Sequence, residues 1–117
     1  MIVNVEALLV GALNAVDGLP EVFVEVPSTR PAQFITVERV GGGHEDVRDL
    51  PMVAVQCWAG SRYNASELAA TVAKALRQLA HTHPNVGRVN IESIINFPDP
   101  DSKQARYQVT ATLVTKR

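Results

Sequence analysis

Residues 64–83, NASELAATVAKALRQLAHTH, carry the pattern that decides the fold of this chain. Apolar residues recur every three or four positions, as on the buried face of an amphipathic helix. They are Leu68, Val72, Ala75, Leu76 and Leu79. Asn64 followed by Glu67 fits a capping box, and Pro84 ends the segment. The stretch predicts one long helix with a single buried face, which must pack against another layer.

The segments on both sides of this helix alternate between apolar and polar residues, which is the period of half-buried strands. The predicted strands are 22–26, 34–40, 52–59, 88–95 and 106–115. A second amphipathic helix is predicted over 4–16, with Asn4 as its cap. The order favours an α+β fold in which an antiparallel or mixed β-sheet of about four to five strands packs against two α-helices.

Size and composition restrict the class of protein. At 117 residues the chain has the length of one domain, so residues 1–117 are predicted to form a single domain. A hydrophobic content of 46% and a charged content of 20% argue against a wholly disordered chain. The net charge of −1 lacks the basic excess that drives nonspecific coating of DNA.

The cysteine count and the apolar runs exclude further classes. The single cysteine, Cys57, excludes an intrachain disulfide and a multi-cysteine zinc site, and its strand context predicts a buried, inert thiol. No apolar run approaches the ~20 residues of a membrane span. Residues 1–16 lack the basic region of a signal peptide, so we interpret them as including a helix of a cytoplasmic protein.

Candidate metal ligands are few. His81 and His83 lie two residues apart, which points them to different sides of a helix and favours a capping role. His44 and the acidic residues at 45–49 could hold a divalent cation, but their spacing matches neither an EF-hand nor a facial triad. We predict a solvated acidic loop there, with no metal and no cofactor.

Candidate catalytic groups are equally few. The glycines at 41–43 precede neither a Lys-Ser/Thr pair nor a helix, as a phosphate loop would require. Ser61 lacks the context of a nucleophile elbow and a credible base. Asp99 and Asp101 alternate with prolines, which suits a turn better than a catalytic pair. The sequence therefore predicts a protein that is not an enzyme.

Three polar connections are longer than simple turns. They are GGGHEDVRDLP at 41–51, PSTRP at 27–31 and PDPDSKQ at 98–104. The first is predicted to be a hairpin connection much longer than the two to five residues usual for hairpins. Such segments on a rigid scaffold often form binding surfaces, and the open edge of the final strand could pair with another chain. These features indicate a protein that functions by binding other protein chains.

Three longer stretches together resemble a known family. The stretches are EVPSTRPAQFITVERVGGG (25–43), LPMVAVQCWAGSRYNASELAATVAKAL (50–76) and NFPDPDSKQARYQVTATLVTKR (96–117). They are similar to the small tail terminator or tail completion proteins of long-tailed, siphovirus-like phages that infect actinobacteria. The shared features are Arg30-Pro31 before a strand, a glycine-rich exit, an aromatic-bearing strand before an alanine-rich helix, and a Pro-Asp-Pro turn before Arg106-Tyr107.

The resemblance implies a structural virion protein with an α+β fold and no enzymatic activity. It implies a hexameric ring at the head-proximal end of the tail tube, which stops tube polymerisation and presents a surface to neck or connector proteins. The implied partners are further copies of the chain, the tail-tube protein, the neck or connector proteins, and genomic DNA that passes without sequence-specific binding. Assembly would take place in the host cytoplasm, without a membrane partner.

A ring needs a heterologous interface, in which two different patches meet. We hypothesise that Arg30 or Arg39 meets an acidic loop of the adjacent subunit. The candidate interface residues are Arg30, Arg39, His44, Glu45, Asp46, Asp49, Asp99 and Asp101. The alternatives are that Arg30 braces its own corner and that Arg39 is a solvated strand residue. Arg106 is expected to tie down the adjacent turn, and Trp58 to lie in the core or half exposed at a contact.

The sequence is also compatible with other functions. Another neck component, such as a head-completion or connector ring protein, has a similar size and the same need for self-assembly. From a different class, the chain could be a small α+β domain that binds a ligand or RNA. Few aromatic residues fall on the strands and the chain has no basic excess, which weighs against an RNA reader.

Overall fold

The computed structural model describes residues 4–116, which form two helices and one sheet of five strands. In chain order the elements are α1 (Val5–Asn14), β1 (Val22–Phe23), β2 (Phe34–His44), β3 (Arg48–Ala59), α2 (Arg62–Thr82), β4 (Val86–Asn96) and β5 (Ala105–Lys116). The predicted α+β class and the predicted order of elements are confirmed. Neither helix in this part of the chain is long and apolar enough to cross a membrane.

The sheet is mixed and has the strand order β1-β2-β3-β5-β4. β1 is parallel to β2, whereas every other neighbouring pair is antiparallel. Because β3 and β4 are both antiparallel to β5, they run parallel to each other, and α2 connects them across β5. The final strand is therefore internal, and the prediction that it forms an open edge is wrong. The edge is β4.

Both helices lie on one face of the sheet and enclose the main core. Every second residue of the central strands points into it, including Val53, Val55 and Cys57. On α2, Ala65, Ala69 and Ala73 are at most 1% exposed, so their small side chains let the helix approach the strands closely. The predicted burial of Cys57 is confirmed, and burial raises the pKa of its thiol to about 12.

The start of α1 follows the sequence pattern, whereas the start of α2 does not. The Asn4 side chain accepts a hydrogen bond from the Ala7 amide at 3.1 Å, as a cap does. In α2 the cap is Ser61, whose hydroxyl accepts from the Asn64 amide at 3.1 Å. The predicted cap at Asn64 is wrong because the extended backbone of Ser61, which follows β3 closely, lets the helix begin almost a turn earlier.

The predicted long connection at 41–51 is also wrong. β2 continues to His44 and β3 begins at Arg48, and the Glu45 amide bonds to the Arg48 carbonyl across the turn. A bulge follows Arg39, and Gly42 has a φ of +96°. A Cβ at Gly42 would lie 2.1 Å from the Leu50 carbonyl oxygen, so the glycine permits a close approach that a side chain would prevent.

The first strand is shorter than predicted. Only Val22 and Phe23 pair with β2, because the chain bends away at residues 24–25. Val24 and Val26 are consequently exposed, by 53% and 39%. β1 covers β2 only at Ile35 and Thr36, so most of the outer edge of β2 has no neighbouring strand among residues 4–116.

Candidate assembly surfaces

The hairpin formed by β2 and β3 carries a buried ion pair. Asp49 is 1% exposed, and both of its carboxylate oxygens accept from the Arg39 guanidinium, at 2.5 Å from Nη1 and 3.0 Å from Nη2. The guanidinium also donates to the Gly41 carbonyl at 3.0 Å. The hydrogen bond from Arg39 holds the pKa of the Asp49 carboxyl below its ordinary value, against the opposing effect of burial. The pair therefore ties the bulge to the start of β3.

Three further predicted interface residues lie near the tip of this hairpin. His44 is opposite Asp49, with its Nδ1 3.6 Å from the carboxylate. Glu45 pairs with Arg48 across the turn, and this hydrogen bond lowers the pKa of the exposed Glu45 carboxyl. Asp46 is exposed in the same turn. The structure thus brings five of the eight predicted residues to one hairpin, with Arg39 bound inside its own chain.

The remaining three predicted residues lie where the 27–31 corner meets the 98–104 turn. Arg30 donates to Gln104 Oε1 at 2.9 Å and lies 4.0 Å from the Asp99 carboxylate. Asp99 accepts from the Ser102 hydroxyl at 2.5 Å, which is the main reason that its carboxyl pKa is lowered. Asp101 is exposed beside it. These contacts match the bracing role considered for Arg30, and its role between subunits stays a prediction.

A row of stacked side chains crosses the helix-free face of the sheet. Strand register places Phe34, Trp58 and Arg106 side by side on β2, β3 and β5. The Phe34 and Trp58 rings stack at 5.1 Å, and the Arg106 guanidinium lies 4.8 Å from the Trp58 ring and 4.7 Å from the Phe97 ring. Arg30 covers Trp58 at 5.3 Å. Such cation–π contacts stabilise most where water is excluded.

This row forms a second, smaller core. Trp58 is 2% exposed and Arg106 only 8%, although no helix covers this face. The Arg106 Nε donates to the Phe97 carbonyl at 2.7 Å, so its predicted role in tying down the adjacent turn is confirmed, and Trp58 is a core residue. The sequence does not reveal this row because its five members, Arg30, Phe34, Trp58, Phe97 and Arg106, come from five different segments and meet only in the folded chain.

Neutral polar groups occupy the centre of the same face. Trp58 Nε1 donates to Thr36 Oγ1 at 3.0 Å, and Gln56 Nε2 donates to Gln108 Oε1 at 3.2 Å. Gln108 in turn donates to Thr110 at 3.2 Å. None of these groups is a strong acid, base or nucleophile. These hydrogen bonds tie the side chains of β2, β3 and β5 together across the helix-free face.

The candidate catalytic and metal-ligating residues have structural contacts. Ser61 caps α2, and His83 Nδ1 accepts from the Asn85 amide at 3.1 Å just after that helix. Within residues 4–116, no three His, Cys, Asp or Glu side chains are placed to hold one metal ion. The titratable or nucleophilic side chains buried in the described chain, Asp49, Cys57 and Arg106, are all part of the packing.

The edge strand β4 exposes apolar side chains. Ile94 and Ile95 are 42% and 45% exposed, and Phe97 just beyond the strand is 44% exposed. Nine of the eleven residues of β4 pair with β5, with irregularities at Gly87 and Glu92, and no described strand lies on the other side of β4. Long open edges of this kind are templates for pairing with another chain unless something covers them.

Comparison of the sequence with protein-family models and with curated proteins finds no match. Functional conclusions about this chain therefore depend on its residues, its fold and the sequence resemblance described above.

Proposed function

We propose that this protein is a structural component of a phage virion. It forms a ring at the head-proximal end of the tail tube, stops tube polymerisation and joins the tail to the neck or connector. The stretches at 25–43, 50–76 and 96–117 support this proposal through their resemblance to tail terminator proteins. The α+β fold is of the class that this resemblance implies.

The observation that carries the proposal is the open edge at β4. An open eleven-residue edge strand with exposed isoleucines promotes aggregation of a monomeric protein, because strands of other chains can pair with it. Assembly with a fixed partner covers such an edge. A ring former needs two different contact surfaces on each protomer, and the exposed edges of β2 and β4 lie on opposite sides of the sheet.

The buried polar groups also favour a structural role. Catalytic groups need a pKa suited to proton transfer or nucleophilic attack. The buried Asp49 carboxylate is instead paired with Arg39, and burial raises the pKa of the Cys57 thiol to about 12, which keeps it protonated near neutral pH. The net charge of −1 suits a wall along which DNA passes without adhering, since strong DNA binding requires a basic surface.

The test is the mass of the purified protein in solution by light scattering, followed by electron microscopy alone and with the tail-tube subunit of the same phage. We expect ring-sized particles with a central hole, and tubes that carry a cap at one end and stop growing. Rings that bind a connector protein but leave tube growth unchanged would instead indicate another neck component. A protein that remains a monomer alone and with both partners would overturn the proposal.

A further inference from the structure

An acidic depression lies beside the open edge of β2, just past the end of β1. Its volume is about 490 Å³, and it is lined by three glutamates and two exposed valines, Glu6, Glu25, Glu38, Val24 and Val26, together with Thr36, Val37 and Gln56 of the adjoining strands. Glu25 and Glu38 are exposed, and both valines are more than a third exposed. The depression therefore combines negative charge with apolar surface, as contact surfaces between proteins commonly do.

A basic depression lies towards the opposite edge of the sheet, where β4 begins, β5 ends and the β2–β3 turn meets the start of β3. Its volume is about 570 Å³, and it is lined by Arg48, Arg88 and Lys116 together with Val47 and Val114. Val47 is 69% exposed. The three cations here equal in number the three carboxylates of the acidic depression, and valines line both surfaces. The two surfaces resemble each other in composition and are opposite in charge.

The charges on both surfaces are largely available to a partner. Among residues 4–116, no cation lies within ion-pairing distance of Glu25 or Glu38, and no carboxylate lies within that distance of Arg88 or Lys116. Two charges differ: Glu45 pairs with Arg48 across the hairpin turn, and the Glu6 carboxylate accepts a hydrogen bond from the Arg39 amide at 2.8 Å. Attraction between the depressions therefore depends mainly on the four unpaired side chains.

The two depressions can be used at the same time. They share no residue, and β2 and β4 are separated by β3 and β5. One protomer can thus offer its acidic surface to one neighbour and its basic surface to another. This is the arrangement of a heterologous interface, which closes into a ring when the rotation between copies allows it.

We infer that copies of this chain associate head to tail, with the acidic depression of one copy seated on the basic depression of the next. The inference deepens the proposed function and rests on it for closure into a ring. It assigns the contact to residues other than Arg30 and Arg39, whose guanidinium groups are engaged within their own chain. Complementary charge fixes partner orientation, and the paired valines supply apolar burial.

The test reverses the charges on one surface at a time. The acidic-surface variant carries Glu25→Lys and Glu38→Lys, and the basic-surface variant carries Arg88→Glu and Lys116→Glu. We expect each to lower the self-association constant at least about 100-fold in sedimentation velocity, because like charges then face each other. Mixing the two variants, or combining all four substitutions in one chain, restores opposite charges across the interface. Both should recover the assembly of the unaltered protein.

Matched controls carry the same charge changes elsewhere. Asp17→Lys with Glu67→Lys, and Lys74→Glu with Arg77→Glu, alter exposed residues of the α1–β1 connection and α2. Both controls should assemble normally. If the unaltered protein assembles and the surface variants assemble equally well, or if mixing restores nothing, the inference is overturned and the proposed function stands. If the unaltered protein neither self-associates nor caps tubes, both are overturned.

Discussion

Replacing Arg39 with methionine should destabilise the fold because it leaves the Asp49 carboxylate buried without its cation. Asp49 is 1% exposed and would lose two charge-assisted hydrogen bonds while keeping one from the Leu50 amide, at 3.1 Å. Removing one partner of a buried ion pair costs about 3–5 kcal/mol. The Arg39 side chain is 31% exposed, so water can partly replace it, and we expect about 3 kcal/mol, at the lower end of that range.

The loss should depend on pH. In the unaltered protein the pKa of Asp49 is below its ordinary value of 3.8, so its stabilising contribution is complete above that value and is lost as the pH falls through the folded pKa. In the variant, burial without Arg39 raises the pKa, and protonation relieves the penalty. The difference in stability should therefore be largest near pH 7 and shrink towards pH 3.

Urea unfolding followed by fluorescence provides the assay, because the chain has one tryptophan and Trp58 is buried against Phe34. Low protein concentration keeps self-association from adding to the measured stability. The double variant Arg39→Met with Asp49→Leu removes both charges and should lie within about 1 kcal/mol of the unaltered protein. A single-variant loss below about 1 kcal/mol at pH 7, or one that is equal at pH 7 and pH 3, would refute the reasoning.

Three further predictions concern local geometry, and each is measured by urea unfolding. Gly42→Ala should lower the free energy of unfolding by more than about 2 kcal/mol, because its Cβ would overlap the backbone carbonyl of Leu50. Gly11→Ala, in the exposed part of α1, should instead raise the free energy of unfolding by about 0.5–1 kcal/mol. An equal effect at both glycines would contradict the close approach. Ser61→Ala should lower the free energy of unfolding by about 1 kcal/mol because it removes the cap of α2, whereas Asn64→Ala should lower it by less than about 0.5 kcal/mol. A larger loss at Asn64 than at Ser61 would indicate that Asn64 is the cap. Thr115→Val should be neutral or stabilising, because the buried Thr115 hydroxyl has no partner within residues 4–116, and a loss above about 1 kcal/mol would reveal one.

The elements of this fold could be predicted because their signals are local. Alternation over 52–59 and a stripe of period 3.6 over 64–83 report which side chains face the core, and that information lies within each segment. The glycines at 41–43 have no such signal, since they have no side chains to show a burial pattern. Their place in β2 depends on the approach of Leu50 from the partner strand.

The candidate surfaces could be predicted only in part. The polar character of the hairpin tip and of the 98–104 turn is visible in the sequence, but their pairing partners are not. Arg39 and Asp49 are ten residues apart, and Arg30 and Gln104 are 74 apart, so only the folded backbone shows that they bind each other. Residues predicted to meet a neighbouring subunit are instead engaged within one chain.

By itself, the sequence determined the α+β class, the order of helices and strands, and the buried stripe of α2, because the period of burial within one segment can be read from its consecutive residues. Only the tertiary structure decided which strand is the edge, where α2 begins, and that Phe34, Trp58 and Arg106 stack across three strands. Those features depend on strand order and register, which arise from contacts between segments distant in sequence and leave no period in any one of them.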